Sequence, residues 1–336
     1  MATYSGKQFE AYIAESSSNF GVASVSGTLY KMRLAQVNDI DFSAGVQLTP
    51  VERTGQRVLR PTDHIAVRSG GTYTWSFSDY IVENEALLQL LLSMVTEDSS
   101  PSVSAQILGS AGTLSYQNNA STGIYGHVVI SSPDADKDRL MHSAILQELT
   151  LSMNPTANGG RLTASGTFFS GYQPVIGTEG TSPNATAVDY TKGFFDCTTQ
   201  TFQSEGDSAV GVLANSFDLT ISNPATRVGF TTINSIDGEP QSYNRGNQIN
   251  VTGNISVKMD DNSVTMVNNF LGGTSTNISL GNGGGGSDGE NIDFDIPTAK
   301  FTGHELDTAN ENGVFINLPF QATADGSGAL VTIIAT

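Results

Sequence analysis

Hydrophobic and polar residues alternate along much of the chain, and this alternation predicts β-strands. In the sequence GTYTWSFSD the apolar side chains of Tyr73, Trp75 and Phe77 are separated by Thr and Ser. Residues 149–153 and 162–168 alternate in the same way on either side of the sequence NPTANGG. Because Asn and Gly favour tight turns, these two segments are expected to form a β-hairpin.

Two segments have a helical pattern instead. Residues 83–95 are rich in Leu and Glu, which are strong helix formers, and Asp79 precedes them as the expected cap. Residues 263–271 form a second, shorter segment that two glycines follow. Its apolar residues fall on one helical face: Val264, Val267 and Leu271. The chain is therefore predicted to be mainly β, with about one helix in each half.

The two halves of the chain can be overlaid, which indicates an internal duplication. Aligning Gly71 with Gly253 brings residues 71–79 onto 253–261 with the apolar positions in register. A slightly different alignment brings Asp39–Ser43 onto Asp218–Ser222. The alternative is a pair of unrelated β domains that share only the alternation of strands.

Further along the chain the two halves align with a smaller offset. Thr156-Ala-Asn158 falls on an identical Thr308-Ala-Asn310, and the apolar positions of the following strands agree. Because Gly71 and Thr156 are further apart than Gly253 and Thr308, the first half carries about 30 extra residues. We place this insertion within residues 96–143, which are rich in Ser, Gly and Asn.

The overlay predicts two tandem domains, at residues 1–172 and 192–336. Residues 173–191 are rich in Gly, Pro, Ser and Thr, as is typical of a linker. Residues 280–291 contain four consecutive glycines, which cost conformational entropy to order, so we expect a flexible loop there.

The composition excludes several classes of protein. The formal net charge is −18, from 15 Lys and Arg against 33 Asp and Glu, which argues against a protein that grips nucleic-acid phosphates. A single Cys rules out a disulfide framework and a Cys-based zinc site. We expect no signal peptide, because the first 20 residues have no cationic segment followed by an apolar one. We expect no membrane segment, because the longest apolar stretch, residues 86–95, is about half a membrane span.

Candidate chemistry is weak. None of the four histidines has the spacing of a metal ligand, and we expect them on the surface. Asp134, Asp136 and Asp138 alternate like the start of a calcium loop, but Arg139 and Ile145 stand where that loop needs Gly and Glu. No G-x-S-x-G sequence is present. We therefore expect no enzyme activity, no metal and no cofactor.

Basic residues cluster in one segment of this acidic chain: Arg53, Arg57, Arg60 and Arg68. The corresponding segment of the second half, residues 223–247, has Arg227 and Arg245. These six arginines are candidates for contacts between subunits, because basic side chains pair with acidic surfaces and set register. The alternative is a solvated loop.

The order of elements in each half is strand, long loop, strand, helix and closing hairpin. Together with the final sequence GVFINLPFQATADGSGALVTIIAT at residues 313–336, this order resembles the tail tube proteins of tailed bacteriophages. The resemblance covers roughly residues 30–170 and 205–336, and the duplication resembles the form with two fused tube domains. It implies two tandem β-sandwich or half-barrel domains, each flanked by one α-helix.

The resemblance also implies a function. Tube domains join into rings of six, so a fused pair predicts a trimer with pseudo-sixfold symmetry, and the rings stack through the long loop that holds the arginines. The expected partners are further copies of the chain and the tape measure, terminator and baseplate proteins. The expected location is the virion tail, assembled in the host cytoplasm. Double-stranded DNA is expected to pass through the tube without specific binding.

A conduit for DNA suggests an acidic lumen, because negative charge repels phosphate. We take four carboxylates as candidates for that surface: Asp39, Asp41, Glu148 and Asp218. The alternative functions are a virion decoration protein and a β-rich adhesin, which would not polymerise into tubes.

Overall fold

The structure, a computed structural model, describes most of the strands and both helices. The described residues are 5, 8–15, 23, 25, 29–42, 47–50, 64–67, 72–83, 85–96, 106–108, 125–154, 157–177, 203–206, 210–229, 240, 242–245, 249–260, 263–281, 292–308, 313–323 and 330–335. For residues 47–50 and 64–67 only the strands and their pairing are described.

The first half contains ten strands and one α-helix among its described residues, besides two short 3-10 turns at Ala135–Lys137 and Asn158–Gly160. They are β1 (Glu10–Glu15), β2 (Leu29–Met32), β3 (Gln47–Pro50), β4 (His64–Val67), β5 (Tyr73–Ile81), α1 (Glu85–Thr96), β6 (Gln106–Leu108), β7 (Gly126–Ser131), β8 (Arg139–Met153), β9 (Thr163–Ser170) and β10 (Val175–Ile176).

The second half contains another ten strands and one helix among its described residues. They are β11 (Gln203–Gly206), β12 (Val210–Ser222), β13 (Thr226–Val228), β14 (Ser242–Asn244), β15 (Asn250–Lys258), α2 (Ser263–Gly272), β16 (Thr276–Gly281), β17 (Ile292–Phe301), β18 (Glu305–Asp307), β19 (Phe315–Ala322) and β20 (Val331–Ala335). The prediction of a mainly β fold is confirmed.

The second half folds as a closed antiparallel sheet. Its strands follow the order β11–β12–β15–β19–β17–β16, and β16 pairs back with β11. Closure leaves the apolar residues on the inside, where Phe217 lies against Phe294 and Phe320 with ring centroids 5.0 and 6.2 Å apart. The interior of this half is therefore a hydrophobic core that contains these three aromatic rings among aliphatic side chains.

The first half repeats this strand order. Strand β2 pairs with β1, and the order continues through β7, β8, β9 and β5. Asp41 then bridges Thr74 of β5, so the segment from β2 to Asp41 takes the place of the single long strand β12. The same order in both halves supports the internal duplication.

Strand pairing corrects one register of the sequence overlay. Trp75 lies opposite Phe168, whereas Phe320, the counterpart of Phe168 in the overlay, lies opposite Gly253. Gly253 of β15 therefore corresponds to Trp75 of β5 and not to Gly71. The overlay kept the apolar face because the distance from Gly71 to Trp75 is an even number of residues.

Each half fills its interior with a large aromatic ring that crosses a glycine of the adjacent strand. A Cβ on Gly253 would lie 2.5 Å from Cζ of Phe320, and a Cβ on Gly166 would lie 2.9 Å from Cε1 of Phe77. The ring and the glycine have exchanged strands between the halves. The interiors of the two halves are therefore packed differently although their strand order is the same.

Two local expectations were wrong. Asp79 is not a helix cap, since it lies inside β5 at φ 53°. His127 and His142 are buried rather than on the surface, at 0% and 4% exposure.

Strand pairing also narrows the place of the insertion in the first half. Strand β7 and the start of β8 have counterparts in β16 and β17 of the second half. Because residues 126–143 are thereby matched, the surplus within residues 96–143 falls before β7.

The buried histidines make stability depend on pH. Burial lowers the pKa of His127 to about 4, with the nearby His142 as a second cause. Burial lowers the pKa of His142 to about 4 as well. Neither ring nitrogen of His127 has a hydrogen-bond partner within the described part of the chain. The unfolded chain, with its histidines near 6.5, therefore binds more protons than the folded chain between about pH 4 and 6.5.

We predict that the free energy of unfolding falls as the pH drops from about 6.5 to about 4, by about 1.4 kcal/mol per unit of pKa difference for each histidine. The variant His127→Leu should lose part of this slope, and the exposed His304→Ala should keep it. Urea unfolding at several pH values measures the effect. Equal slopes in all three proteins would contradict the assignment.

Candidate assembly surface

The two closed sheets are joined by one pair of strands. Residues Glu148–Met153 of β8 pair antiparallel with Phe217–Ser222 of β12. Strand β8 belongs to the first half and β12 to the second, so one sheet runs from β5 through β9, β8, β12 and β15 to β19. We call the β8–β12 pair the seam.

The seam has an apolar face and a polar face. Leu149, Leu151, Leu219 and Ile221 are all fully buried on the apolar face. On the other face the hydroxyls of Thr150 and Thr220 lie 2.9 Å apart across the seam. The apolar face merges the interiors of the two halves into one hydrophobic core.

The polar face of this sheet continues across both halves. The hydroxyls of Ser76 and Thr167 lie 3.0 Å apart on it, between β5 and β9. Because side chains alternate between the two faces of a strand, further polar side chains of β8, β12, β15 and β19 lie on this face. They are Thr150, Ser152, Thr220, Ser222, Thr252, Asn254, Asn317 and Gln321. The result is a surface of hydroxyl and amide groups about six strands wide.

Three of the four candidate acids lie along this polar face. Glu148 and Asp218 flank the seam on it, opposite Ser222 and Ser152, and Asp41 lies at the β5 end through its bridge to Thr74. Asp39 is instead paired with the guanidinium of Arg139. Lys258 and Lys300 lie on the same face at its far end, so the face is not uniformly acidic.

The hairpin β13–β14 packs the second half onto the first. The buried hydroxyl of Tyr243 accepts a hydrogen bond from the backbone N–H of Gly171 at 2.7 Å, and its ring lies 5.2 Å from that of Phe169. The hydroxyl of Tyr172 donates to the carbonyl of Pro240 at 2.8 Å. Burial raises the pKa of Tyr243, so the phenol stays protonated.

Arg245, which follows β14, closes the end of α1. Its guanidinium donates to the carbonyls of Met94, Val95 and Asn223 at 2.7, 3.0 and 3.1 Å. The amide of Asn223 donates to the carbonyl of Val95 at 2.8 Å. A cation at a helix C-terminus complements the partial negative charge of the last carbonyls. In this structure Arg245 therefore joins the two halves of one chain.

The other candidate arginines are placed less fully. Arg227 lies in β13, partly buried and opposite Tyr243, so it belongs to the same hairpin. Arg53, Arg57, Arg60 and Arg68 lie outside the described residues. The hairpin β3–β4 corresponds in register to β13–β14, which puts Arg68 directly after β4 as Arg245 comes directly after β14.

Metal and membrane sites find no support in the described part of the chain. No group of His, Cys, Asp and Glu residues there could hold a metal ion. Asp138 accepts the backbone N–H of Ser132 at 2.6 Å, so it stabilises a turn. No described helix is long and apolar enough to cross a bilayer.

Arg245 gives a test of how the halves are joined. We predict that Arg245→Met lowers the free energy of unfolding by roughly 1.5–3 kcal/mol, because three buried carbonyls lose a charged donor. Lys258→Ala removes an exposed cation of the same half and should change stability little. Chemical unfolding of both variants checks this, and equal stability would show that the contact contributes nothing.

Comparison with known proteins agrees with this architecture. A model of the family described as phage tail tube protein matches residues 11–322, which is most of the chain. No curated protein matches the chain. The resemblance inferred from the order of elements is thereby confirmed. The chain belongs to the family of phage tail tube proteins.

Proposed function

We propose that this protein polymerises as stacked rings that form the conduit for DNA ejection into the host. The observation that carries the proposal is the seam, in which one closed sheet of this chain joins another through β-strand pairing. The same kind of pairing between copies would extend the sheet around a ring. The protein then acts as a structural subunit and not as an enzyme.

The chain contains the counterparts of both strands of the seam. Thr150 pairs with Ser165 and Glu305 pairs with Asn317, so β18 corresponds to the seam residues of β8. Asp41 pairs with Thr74 and Thr220 with Thr252, so residues 38–42 correspond to those of β12. A second copy could therefore supply residues 38–42 to β18.

The environment of β18 supports this pairing. Among the described strands β18 pairs only with β19. Leu306 is 47% exposed, whereas its counterpart in the seam, Leu151, is fully buried. Covering Leu306 with a strand of the next copy would remove apolar surface from water, which favours association.

Three chains with two closed sheets each would make a ring of six, with pseudo-sixfold symmetry. Each contact is heterologous, with β18 of one chain against residues 38–42 of the next, and such contacts close into rings. The number three comes from the family resemblance. The proposed domains are residues 1–172 and 192–336, joined by the linker at 173–191, of which residues 175 and 176 form β10 and pair with β8 of the first half.

The polar face of the continuous sheet would line the lumen. Its hydroxyls, amides and carboxylates, including Asp41, Glu148 and Asp218, outnumber Lys258 and Lys300 on the same face, so DNA would slide past without specific binding. We further propose assembly in the host cytoplasm, location in the virion tail, and contacts with the tape measure, terminator and baseplate proteins at the tube ends. The loop with Arg53, Arg57 and Arg60 would contact the next ring.

Ring formation should depend on salt. In the seam the neutral residues Thr150 and Thr220 lie opposite each other. In the proposed contact between copies, their counterparts Glu305 and Asp41 would lie opposite each other. Like charges directly opposite each other destabilise a strand pair, and 1 M salt shortens the screening length to about 3 Å. We predict that negative-stain micrographs show more rings or tubes at high salt than at low salt.

The variant Glu305→Thr restores a neutral residue and should assemble at low salt. Glu148→Thr is the matched control, because Glu148 is an acid of the same face that lies at the seam within one chain. This variant should keep the salt dependence of the unmodified protein. Protein that remains monomeric at every concentration and salt level would contradict the ring proposal and favour a decoration protein or adhesin.

The arginine loop gives a separate prediction about stacking. Deleting residues 53–60 should leave a folded protein that forms single rings but few stacked tubes, because the basic side chains would no longer reach the acidic surface of the next ring. Sedimentation and micrographs distinguish rings from tubes. Tubes of normal length would refute the role of this loop.

A further inference from the structure

The two helices have very different surroundings. Every described side chain of α1 from Leu87 to Val95 is at most 7% exposed. In α2 the apolar residues Val264 and Leu271 are 48% and 74% exposed, and the buried residues are Ser263 and Met266. Val267, the third residue of the apolar face expected from the sequence, packs against the core instead. The expected face is therefore split, with Val264 and Leu271 on the outer side of α2.

Comparison of the two halves shows that the C-terminal end of α1 is covered, whereas that of α2 is not covered by any described element. Glu85 begins α1 at the same distance after Trp75 as Ser263 begins α2 after Gly253, so Leu271 is the counterpart of Ser93. Ser93 is 3% exposed, and the C-terminal end of α1 is covered by Arg245 and Asn223 of the other half. No described element of this chain takes that place at α2.

A cavity lies beside the C-terminal end of α2. Its volume is about 450 Å³, and its lining includes the polar residues Asn269, Ser275, Asn277 and Thr298 and the ring of Pro297. The volume is large enough for several side chains of a docking segment. Its lining continues from the exposed end of α2, because Asn269 belongs to that helix.

The corresponding space in the first half is filled. The pairs Val128–Met141 and Ile278–Ile296 correspond, which makes Tyr125 the counterpart of Ser275 and His142 the counterpart of Pro297. The ring of Tyr125 lies 6.5 Å from that of Tyr243, which belongs to the hairpin β13–β14. The ring of His142 lies 5.1 Å from that of Tyr172.

We propose that the outer face of α2 and this cavity bind the hairpin β3–β4 of a second copy. The docking surface consists of Val264, Leu271 and the cavity lining. The hairpin is the counterpart of β13–β14: Gln47 pairs with Val67 as Thr226 pairs with Asn244. The proposal rests on the proposed ring and names a second contact within it, besides the strand pair.

The hairpin β3–β4 is suited to binding another copy. Among the described strands β3 and β4 form a two-stranded sheet of their own, as β13 and β14 do. The β13–β14 hairpin is held by its contacts with the adjacent half, through Tyr243 and Arg245. The β3–β4 hairpin belongs to the first half. In the proposed ring, the first half of one chain lies next to the second half of another chain.

Leu271→Asp tests the docking surface. Because Leu271 is 74% exposed, the variant should fold and melt like the unmodified protein. In the ring its carboxylate would be buried against the hairpin, and we expect half-assembly to require at least about tenfold more protein. Ile176→Asp, at a residue that is 59% exposed in the first half, is the matched control and should assemble normally.

A cross-link tests which segment binds there. In a Cys197→Ser background, one chain carries Leu271→Cys and another Val67→Cys. Mixed under assembly conditions and oxidised, the two should give a disulfide-linked dimer, whereas either alone should give far less.

A second acidic variant checks the assembly test. Leu271→Glu should raise the protein concentration needed for assembly as Leu271→Asp does.

The outcomes separate this proposal from the ring itself. If the unmodified protein forms rings, Leu271→Asp assembles equally well and no mixed dimer appears, the docking surface is wrong and the ring stands. If the unmodified protein never assembles, the ring proposal fails and the docking surface fails with it.

Discussion

Strand pairing across the seam is the interaction on which the rest of this structure depends. A sheet edge presents unpaired N–H and C=O groups, and a protein must cover, pair or distort that edge. Here the long strand β8 serves two partners at once, with β9 on one side and β12 on the other. Because the pairing also buries Leu149 and Leu219, the two halves share one core and cannot separate without exposing it.

The contrast between the two helices follows from the same arrangement. Helix α1, sequence EALLQLLLSMVT, has its C-terminal end covered by the second half, and eight of its twelve residues are apolar. Helix α2, sequence SVTMVNNFLG, carries polar residues between its apolar ones and remains partly exposed. A duplicated fold gives two equivalent positions, and the described part of this chain covers only one of them. The difference in composition between the helices matches the difference in their exposure.

Much of this fold could be predicted from the sequence because alternation and helical spacing are local properties. The hairpin of β8 and β9, both helices and the duplication were visible in this way. The register of β15 was not, since an alternating strand matches itself at every even shift and only the opposite residue, Phe320 against Gly253, fixes it. Burial of His127 and His142 depended on which strands became neighbours, and no local signal carried that information.

The contacts of Arg245 also show that a local sequence pattern cannot predict a contact with a distant part of the chain. Its position was found by composition, as a basic residue in an acidic chain, but its role required the distant C-terminal end of α1 in the other half. The duplication could have supplied that role in advance, because Arg68 and Arg245 each follow the second strand of the corresponding hairpin. One arginine closes a helix in its own chain. No described element of this chain takes the equivalent place at the C-terminal end of α2, and we propose that another copy covers it.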